Sequence, residues 1–220
     1  MAERLVGSRL LCSMEWRERR LSLKESLWQN PVELPENLPE VLHLGCGKNK
    51  YPGALGVDKV KTSAVDLAWD LNRIPWPLPA NAFSKVYIID VLEHLDDVIA
   101  TMDEVYRVCQ PKAEVVIIAP FVSSHHLWTD PTHKRGFTSR SFKYFTEEFA
   151  SAHFEYSKSR FRVLEAEYDK YEDWIWIYRP KWFDRQLLRL VNKHKVLYER
   201  RFMYWYPVQN IYFRLQVVGT

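Results

Sequence analysis

Three histidines and an aspartate crowd one stretch, "VSSHHLWTDPTHKRGF", Val122–Phe137: His125, His126, Asp130 and His133, out of seven histidines in the chain. An imidazole titrates near neutral pH, so a histidine beside a cleft can take a proton from a hydroxyl or an amine, or orient it. His133, and then His126, are the candidates for that work. Asp90, at the end of "KVYIID", is placed to orient a ligand. The plainer reading is a loop whose histidines cap neighbouring helices around an Asp130–Pro131 turn. Two adjacent histidines followed by an aspartate and a histidine form a spacing tied to no one metal site, so no metal is assigned.

A second stretch, "EVLHLGCGKNKYPGALGVDKV", Glu40–Val60, holds four of the chain's seven glycines: Gly45, Gly47, Gly53 and Gly56. Scarce glycine concentrated this way marks a backbone that turns tightly, with or without a ligand close by. A β-carbon at Gly45 or Gly47 would fill space a ligand needs. A dinucleotide site wants GxGxxG opening a full helix, with an acid about 20 residues on. Here Lys48, Asn49 and Lys50 follow the GxG, and the acid, Asp58, comes much earlier. NAD therefore fits poorly. A cofactor with a ribose but no phosphates makes no demand for that helix, and S-adenosylmethionine (SAM) is one.

These residues need a frame. Val41–Leu44, Ala54–Val57 and Ala64–Leu67 are short strand candidates. "KVYIID", Lys85–Asp90, and "AEVVIIAP", Ala113–Pro120, have the near-continuous apolar character of strands buried on both faces. Between them, Asp97–Val108 spaces Val98, Met102, Val105, Tyr106 and Val108 as a helix does, and Pro111 follows. "TSRSFKYFTEEFASAH" opens on a Thr/Ser cap and repeats Phe142, Phe145 and Phe149, predicting another helix. "RFRVLEAEY" and "NIYFRLQVV" alternate like strands near a sheet edge. Strands alternating with helices predict an α/β fold with a mostly parallel sheet. Ligands of such sheets lie outside the carboxyl ends of the strands, which is where the histidine loop begins.

From Val41 to about Phe145 the chain resembles the class I SAM-dependent methyltransferases, in particular small single-domain members of the methyltransferase type 11 kind. The resemblance implies a Rossmann-like sheet of about seven strands with helices on both faces. "LHLGCG", with Gly45, Cys46 and Gly47, resembles the motif lining the methionine end of the cofactor. "GVD" resembles the end of the second strand, which makes Asp58 the acceptor of both ribose hydroxyls. "WDL" resembles the segment reading the adenine edge through an aspartate side chain, Asp70, and the next backbone amide, Leu71. "DVLEHLDD", Asp90–Asp97, resembles the motif at the mouth of the site. There Asp90 would orient acceptor or cofactor, while Glu93 and His94 would cap and brace the following helix. "DEVYRVCQPKAEVVIIAP" resembles the helix, turn and fifth strand that come next, with Pro111-Lys112-Ala113 where the family has Pro-Gly-Gly. "DPTHKRGFT" resembles a segment bordering the active site. Most members carry an acid at the place of His43, to contact the methionine amino group. Neutral His43 could accept one hydrogen bond there but adds no charge. The Gly47–Asp58 connection leaves room for about one helical turn, so this crossover must be nearly taut.

The bulk numbers suit one domain with appendages: 220 residues, 47% hydrophobic and 27% charged. Residues 1–40 read as a helical extension ending in the proline-rich "NPVELPENLPE". Residues 41–220 read as the methyltransferase domain, with 168–207 as an aromatic and basic insertion or lid. No apolar run approaches the ~18–20 residues of a membrane span. The arginine-rich start also carries Glu3, Glu15 and Glu18, unlike a signal or transit peptide. Cys12, Cys46 and Cys109 are odd in number and widely spaced, which suits a reducing cytoplasm.

Residues 155–220 hold 16 of the 32 aromatics, and 13 Lys and Arg against 8 Asp and Glu, a balance of +5 where the whole chain has +3. In "KWFDRQLLRLVNKHKVL", 181–197, Phe183, Leu187, Leu190 and Val191 predict one apolar face, and Arg185, Arg189 and Lys193 a basic one. Such a helix can cover the acceptor pocket or lie peripherally on an anionic membrane. "YERRFMYWYPVQNIYF" is expected to bury against the sheet. Modest charge without an RNA-binding motif argues against nucleic acid as partner. The expected activity is methyl transfer from SAM to an oxygen or nitrogen of a small molecule, sugar or lipid-linked glycan. The alternatives are a catalytically degenerate binding or scaffold protein and, less favoured, a nucleic-acid methyltransferase.

Overall fold

The apolar runs become the centre of a seven-stranded sheet in the computed structural model, which describes residues 34–152, 156–170, 174 and 182–219. The strands are β1 (Val41–Leu44), β2 (Leu55–Asp58), β3 (Leu67–Ala68), β4 (Phe83–Ile89), β5 (Cys109–Pro120), β6 (Phe161–Tyr168) and β7 (Asn210–Val217). Their order is β3-β2-β1-β4-β5-β7-β6. The first five pair in parallel, and β7 runs antiparallel between β5 and β6. Val115–Ala119 of β5 are fully buried, as a strand covered on both faces must be. This is the α/β, mostly parallel sheet that the sequence predicts.

The β1–β2 crossover contains no helical turn. Residues 45–54 make only turns and bends, with the N–H groups of Gly45 and Cys46 both donating to Val57 O at 2.7 and 3.2 Å. Holding two donors on the neighbouring strand lets so short a connection return without a helix.

Helix α1 (Val98–Val108) follows β4 and buries Met102, Val105 and Val108. Its N-cap is Asp97, whose Oδ1 accepts from Ile99 N–H at 2.9 Å and Ala100 N–H at 3.0 Å. Glu93 and His94 take no part in that cap. Helix α2 (His125–Thr129) is one short turn opened by Ser124, whose Oγ accepts from His126 N–H.

The single helix expected over 138–153 is broken. A 3-10 turn, Ser141–Phe145, precedes α3 (Glu147–Ala152), and Thr146 between them is extended. The Thr146 hydroxyl donates back to Lys143 O at 2.8 Å, closing the first piece so that the second begins anew. Phe142 packs on Phe213 of β7, with ring centroids 4.7 Å apart.

The C-terminal helix is likewise two, α4 (Trp182–Lys193) and α5 (Lys195–Arg201). Asn192 sets the rotation of α4: its side chain accepts from Tyr168 N–H at 2.8 Å and donates to Tyr168 O at 3.2 Å. That turns Leu188 and Val191 inward and leaves Leu190 outside, so the apolar face read from the sequence is corrected by a shift around the helix. The expectation that 198–213 buries holds for Tyr198, Val208 and Ile211–Phe213. It fails for Phe202, Tyr204 and Trp205, which turn outward beyond α5. Residues 1–33, with most of the proposed extension, and 171–173 and 175–181 of the proposed lid lie outside the described residues, as does the side chain of Phe183. Among the described residues, no helix is long and apolar enough to cross a membrane.

Candidate active site

Strands β1 and β4 are the pair at which strand order reverses, the place where an open α/β sheet leaves a crevice at its carboxyl edge. Gly45 and Gly47 follow β1 with φ of +63° and +53°, a conformation that favours glycine. The two glycines have different reasons. A β-carbon at Gly45 would stand 2.1 Å from Val91 Cγ2, whereas one at Gly47 would meet nothing within 4 Å among the described residues. Packing thus demands the first, and the open space predicted for a ligand lies at the second.

Asp58 ends β2 and ties the turn to it. Its Oδ2 accepts from Gly47 N–H and its Oδ1 from Val60 N–H, both at 2.9 Å, leaving each oxygen a further lone pair. Asp58, Asp70, Leu71, Gly45 and Asp90 line one cleft of about 260 Å³. Asp70 accepts from Asn72 N–H at 3.1 Å, and buried Leu71 anchors Trp76 through its carbonyl, holding this rim in place. His43, Cys46 and Gly47 line an adjoining cleft of about 760 Å³, which shares Gly45 and Asp90 with the first.

His43 is 3% exposed, and burial lowers its pKa to about 4 against the opposing pull of Asp58. Its Nδ1 accepts from Tyr51 N–H at 3.0 Å, so the ring is neutral with its proton on Nε2. The lone pair expected to meet an amino group is therefore already engaged. Burial pushes the Cys46 thiol up to about 11, which makes it a poor nucleophile. Trp174 stands edge-on to His43 and Tyr51 and lines the same cleft, its indole N–H buried without a partner among the described residues. Sequence reasoning missed it; the only signal was the aromatic richness of the C-terminal third.

Asp90, directly after β4, has φ +51° and donates its N–H to Ile118 O at 2.9 Å. It walls both clefts already described and a third, of about 700 Å³, lined also by Glu93, His126, Asp130 and His133. Burial raises the Asp90 pKa, with His133 opposing. His126 stands at the exposed side of this third cleft; burial and then neighbouring His125 hold its pKa below the ordinary value.

The histidine loop is closed by Val122 N–H on Phe137 O and Phe137 N–H on Pro120 O. It is also stapled to the segment after Asp90. Lys134 N–H donates to Glu93 O at 2.8 Å, Arg135 donates to Asp96 O at 2.9 Å, and the Lys134 ammonium pairs with the Asp96 carboxylate. These bonds set His133 over Glu93. His133 Nδ1 lies 3.1 Å from Leu127 O, and a carbonyl can only accept, so that nitrogen carries the proton. The bare Nε2 then stands 3.9 Å from Glu93 Oε1 and 4.0 Å from Asp130 Oδ2.

Glu93 is wholly buried, and among the described residues neither carboxylate oxygen has a hydrogen-bond partner. Burial pushes its pKa up to about 8. The structure thus places His133, His126 and Asp90, three residues singled out in the sequence, on one cleft, and adds Glu93 and His94.

Comparison with known proteins agrees with this architecture. Residues 52–117 match the family model of a methyltransferase domain. A SAM-dependent methyltransferase from Archaeoglobus fulgidus has a similar structure, with a TM-score of 0.51 at 18% identity, covering 92% of this chain and 93% of that one. A Bacillus halodurans C-125 protein assigned as a methyltransferase gives 0.51 at 13% identity, covering 84% and 94%. The comparison with curated proteins finds no match. Residues 52–117 thus match a methyltransferase domain, the sheet has the fold of SAM-dependent methyltransferases, and both point to SAM as the cofactor. The residues present fit that molecule: an open glycine turn at Gly47, and a strand-end carboxylate at Asp58 with lone pairs to spare.

Proposed function

We propose that the chain methylates an oxygen or nitrogen of a small molecule, sugar or lipid-linked glycan held in the cleft between Asp90 and His133. The supporting observation is the place of Asp90, on the wall shared by the two clefts beside the glycine turn and the one beside the histidines. In this reading Asp58 accepts the ribose hydroxyls, Asp70 and the Leu71 amide meet the adenine edge, and His43, Gly45, Cys46 and Gly47 shape the methionine end. SAM supplies a methyl group on a sulfonium, so the acceptor lone pair forms the new bond as the carbon–sulfur bond breaks. The protein positions the acceptor and excludes water. His133 orients the acceptor through Nε2, Asp90 holds it toward the cofactor clefts, and His126 takes its proton at the exposed side.

Calorimetric titration with SAM, with NAD as control, tests the cofactor half. Saturable SAM binding that Asp58→Ala abolishes is expected; unchanged affinity in Asp58→Ala overturns the assignment. Transfer of labelled methyl to an acceptor panel tests the rest. His133→Ala should keep SAM binding and lose most turnover, and a loss of binding instead would move His133 to the cofactor side.

A second reading concerns location. Leu190, Leu197 and Trp205 are exposed beside basic residues of α4 and α5, which favours peripheral contact with an anionic membrane.

A further inference from the structure

A buried carboxylate with no hydrogen bond is costly, and native proteins rarely keep one without a use. Glu93 is such a group, and beside it stand two histidines whose tautomers the surrounding bonds settle. His133 gives its Nδ1 proton to Leu127 O, leaving Nε2 as a lone pair toward Glu93. For His94 the settling partner is Thr132, whose Oγ1 lies 2.9 Å from His94 Nδ1 and 2.7 Å from Asp130 Oδ1. A hydroxyl has one hydrogen; with it on the carboxylate, His94 Nδ1 must donate and Nε2 is bare. Both rings are thus held by one nitrogen on an oxygen partner, which is how proteins orient histidines that ligate metals.

Glu93, His94 and His133 each bring one ligand atom within 4.8 Å of the others. We infer that these three side chains bind a divalent cation of the manganese, cobalt or zinc kind at the wall of the acceptor cleft. Two imidazoles and one carboxylate suit such ions and leave coordination positions open to a ligand. Exposed Asp130, 4.0 Å from His133 Nε2 through its Oδ2, stands near enough to join or to hold a bound water.

The site has a consequence for substrate class, resting on the methyl-transfer reading above. His94 lines both the acceptor cleft and the cleft with Asp58, so an ion here lies between them. A hydroxyl bound to the ion loses its proton more readily. Its oxygen still has lone pairs for the methyl carbon after binding. A coordinated amine has spent its only lone pair. The geometry therefore favours an oxygen acceptor over a nitrogen one, with His133 orienting it through the ion.

The test uses the full chain, freed of metal by chelation and titrated with Mn²⁺ while the electron paramagnetic resonance signal of free ion is followed. One saturable site is expected. Glu93→Gln keeps the shape of the side chain and should weaken binding by more than about 100-fold, beyond what loss of a mere supporting partner costs. A folded wild-type chain that binds neither Mn²⁺ nor Zn²⁺ at millimolar concentration overturns the inference, as does equal affinity in Glu93→Gln. SAM titration of the metal-free chain is the second arm. SAM binding without metal binding sinks this inference alone, and metal binding without SAM binding sinks the methyl-transfer reading instead.

Discussion

His43 carries a pH dependence that its surroundings dictate. Buried against Tyr87 and Trp174 and accepting from Tyr51 N–H, the folded ring takes its proton near pH 4, whereas the unfolded chain does so near its ordinary value of 6.5. Below that ordinary value the unfolded state binds more protons, so stability is full above about pH 6.5 and declines as pH falls toward 4. The difference is worth roughly 3 kcal/mol at the acid end. Urea unfolding of wild type at pH 7 and pH 4, beside His43→Gln, should show that part of the loss only in wild type. Identical acid sensitivity in both would mean that His43 does not govern it. The sequence places a histidine where the methyltransferases it resembles have an acid, but it does not show the Tyr51 bond that uses its lone pair. Likewise Gly45 and Gly47 look alike in sequence, and only Val91, 46 positions after Gly45 in the numbering, tells them apart.

The elements were legible where a local signal decides them. Alternating and continuous apolar runs gave six of the seven strands, because sheet burial is a period-of-two or no-period pattern that needs no distant partner. The third forms at Leu67–Ala68, at the end of the Ala64–Leu67 run that reads as a strand. Asp97 before Val98 is such a signal too, and it makes a prediction. Asp97→Ala frees two N–H groups at the start of α1 and should cost about 1 kcal/mol, a fall in Tm of about 2–4 °C. SAM affinity should hold, since the cap faces solvent and not the cleft. A Tm change within error would show that α1 is held by its buried face alone. What the sequence hid depends on contacts far along the chain. The rotation of α4 follows from Asn192 meeting Tyr168, 24 residues away. The division at Thr146 follows from a threonine that suits a helix interior and a helix start alike. Glu93 and His94 read as helix braces because the loop that covers them, with Thr132 and His133, comes 38 residues later.

At the scale of the molecule, charge and apolar surface coincide at one end of the chain. The C-terminal third carries +5 of a total of +3, so the rest of the protein is net acidic. With α4 rotated by Asn192, its outer side presents Trp182, Arg189, Leu190 and Lys193 together, and the following segment adds Leu197, Tyr204 and Trp205. Apolar residues mixed with cations, flanked by exposed tryptophans, suit the headgroup boundary of an anionic bilayer better than water. Contact there would bring the enzyme to acceptors carried on lipid, which links this surface to the glycan alternative among the proposed substrates. Flotation with phosphatidylcholine vesicles, with and without phosphatidylserine, measures it directly. Wild type should float with the anionic vesicles and be released by raised salt, because the basic part of the attraction is screened. Removing two cations in Arg189→Ala with Lys193→Ala should cost about 2 kcal/mol, roughly a 30-fold loss of partitioning. Trp205→Ala should weaken binding to the same vesicles while leaving the salt dependence unchanged. A wild-type chain that stays at the bottom of the gradient with anionic lipid present would leave α4 and α5 as a cover of the sheet, and the acceptor as a molecule met in water.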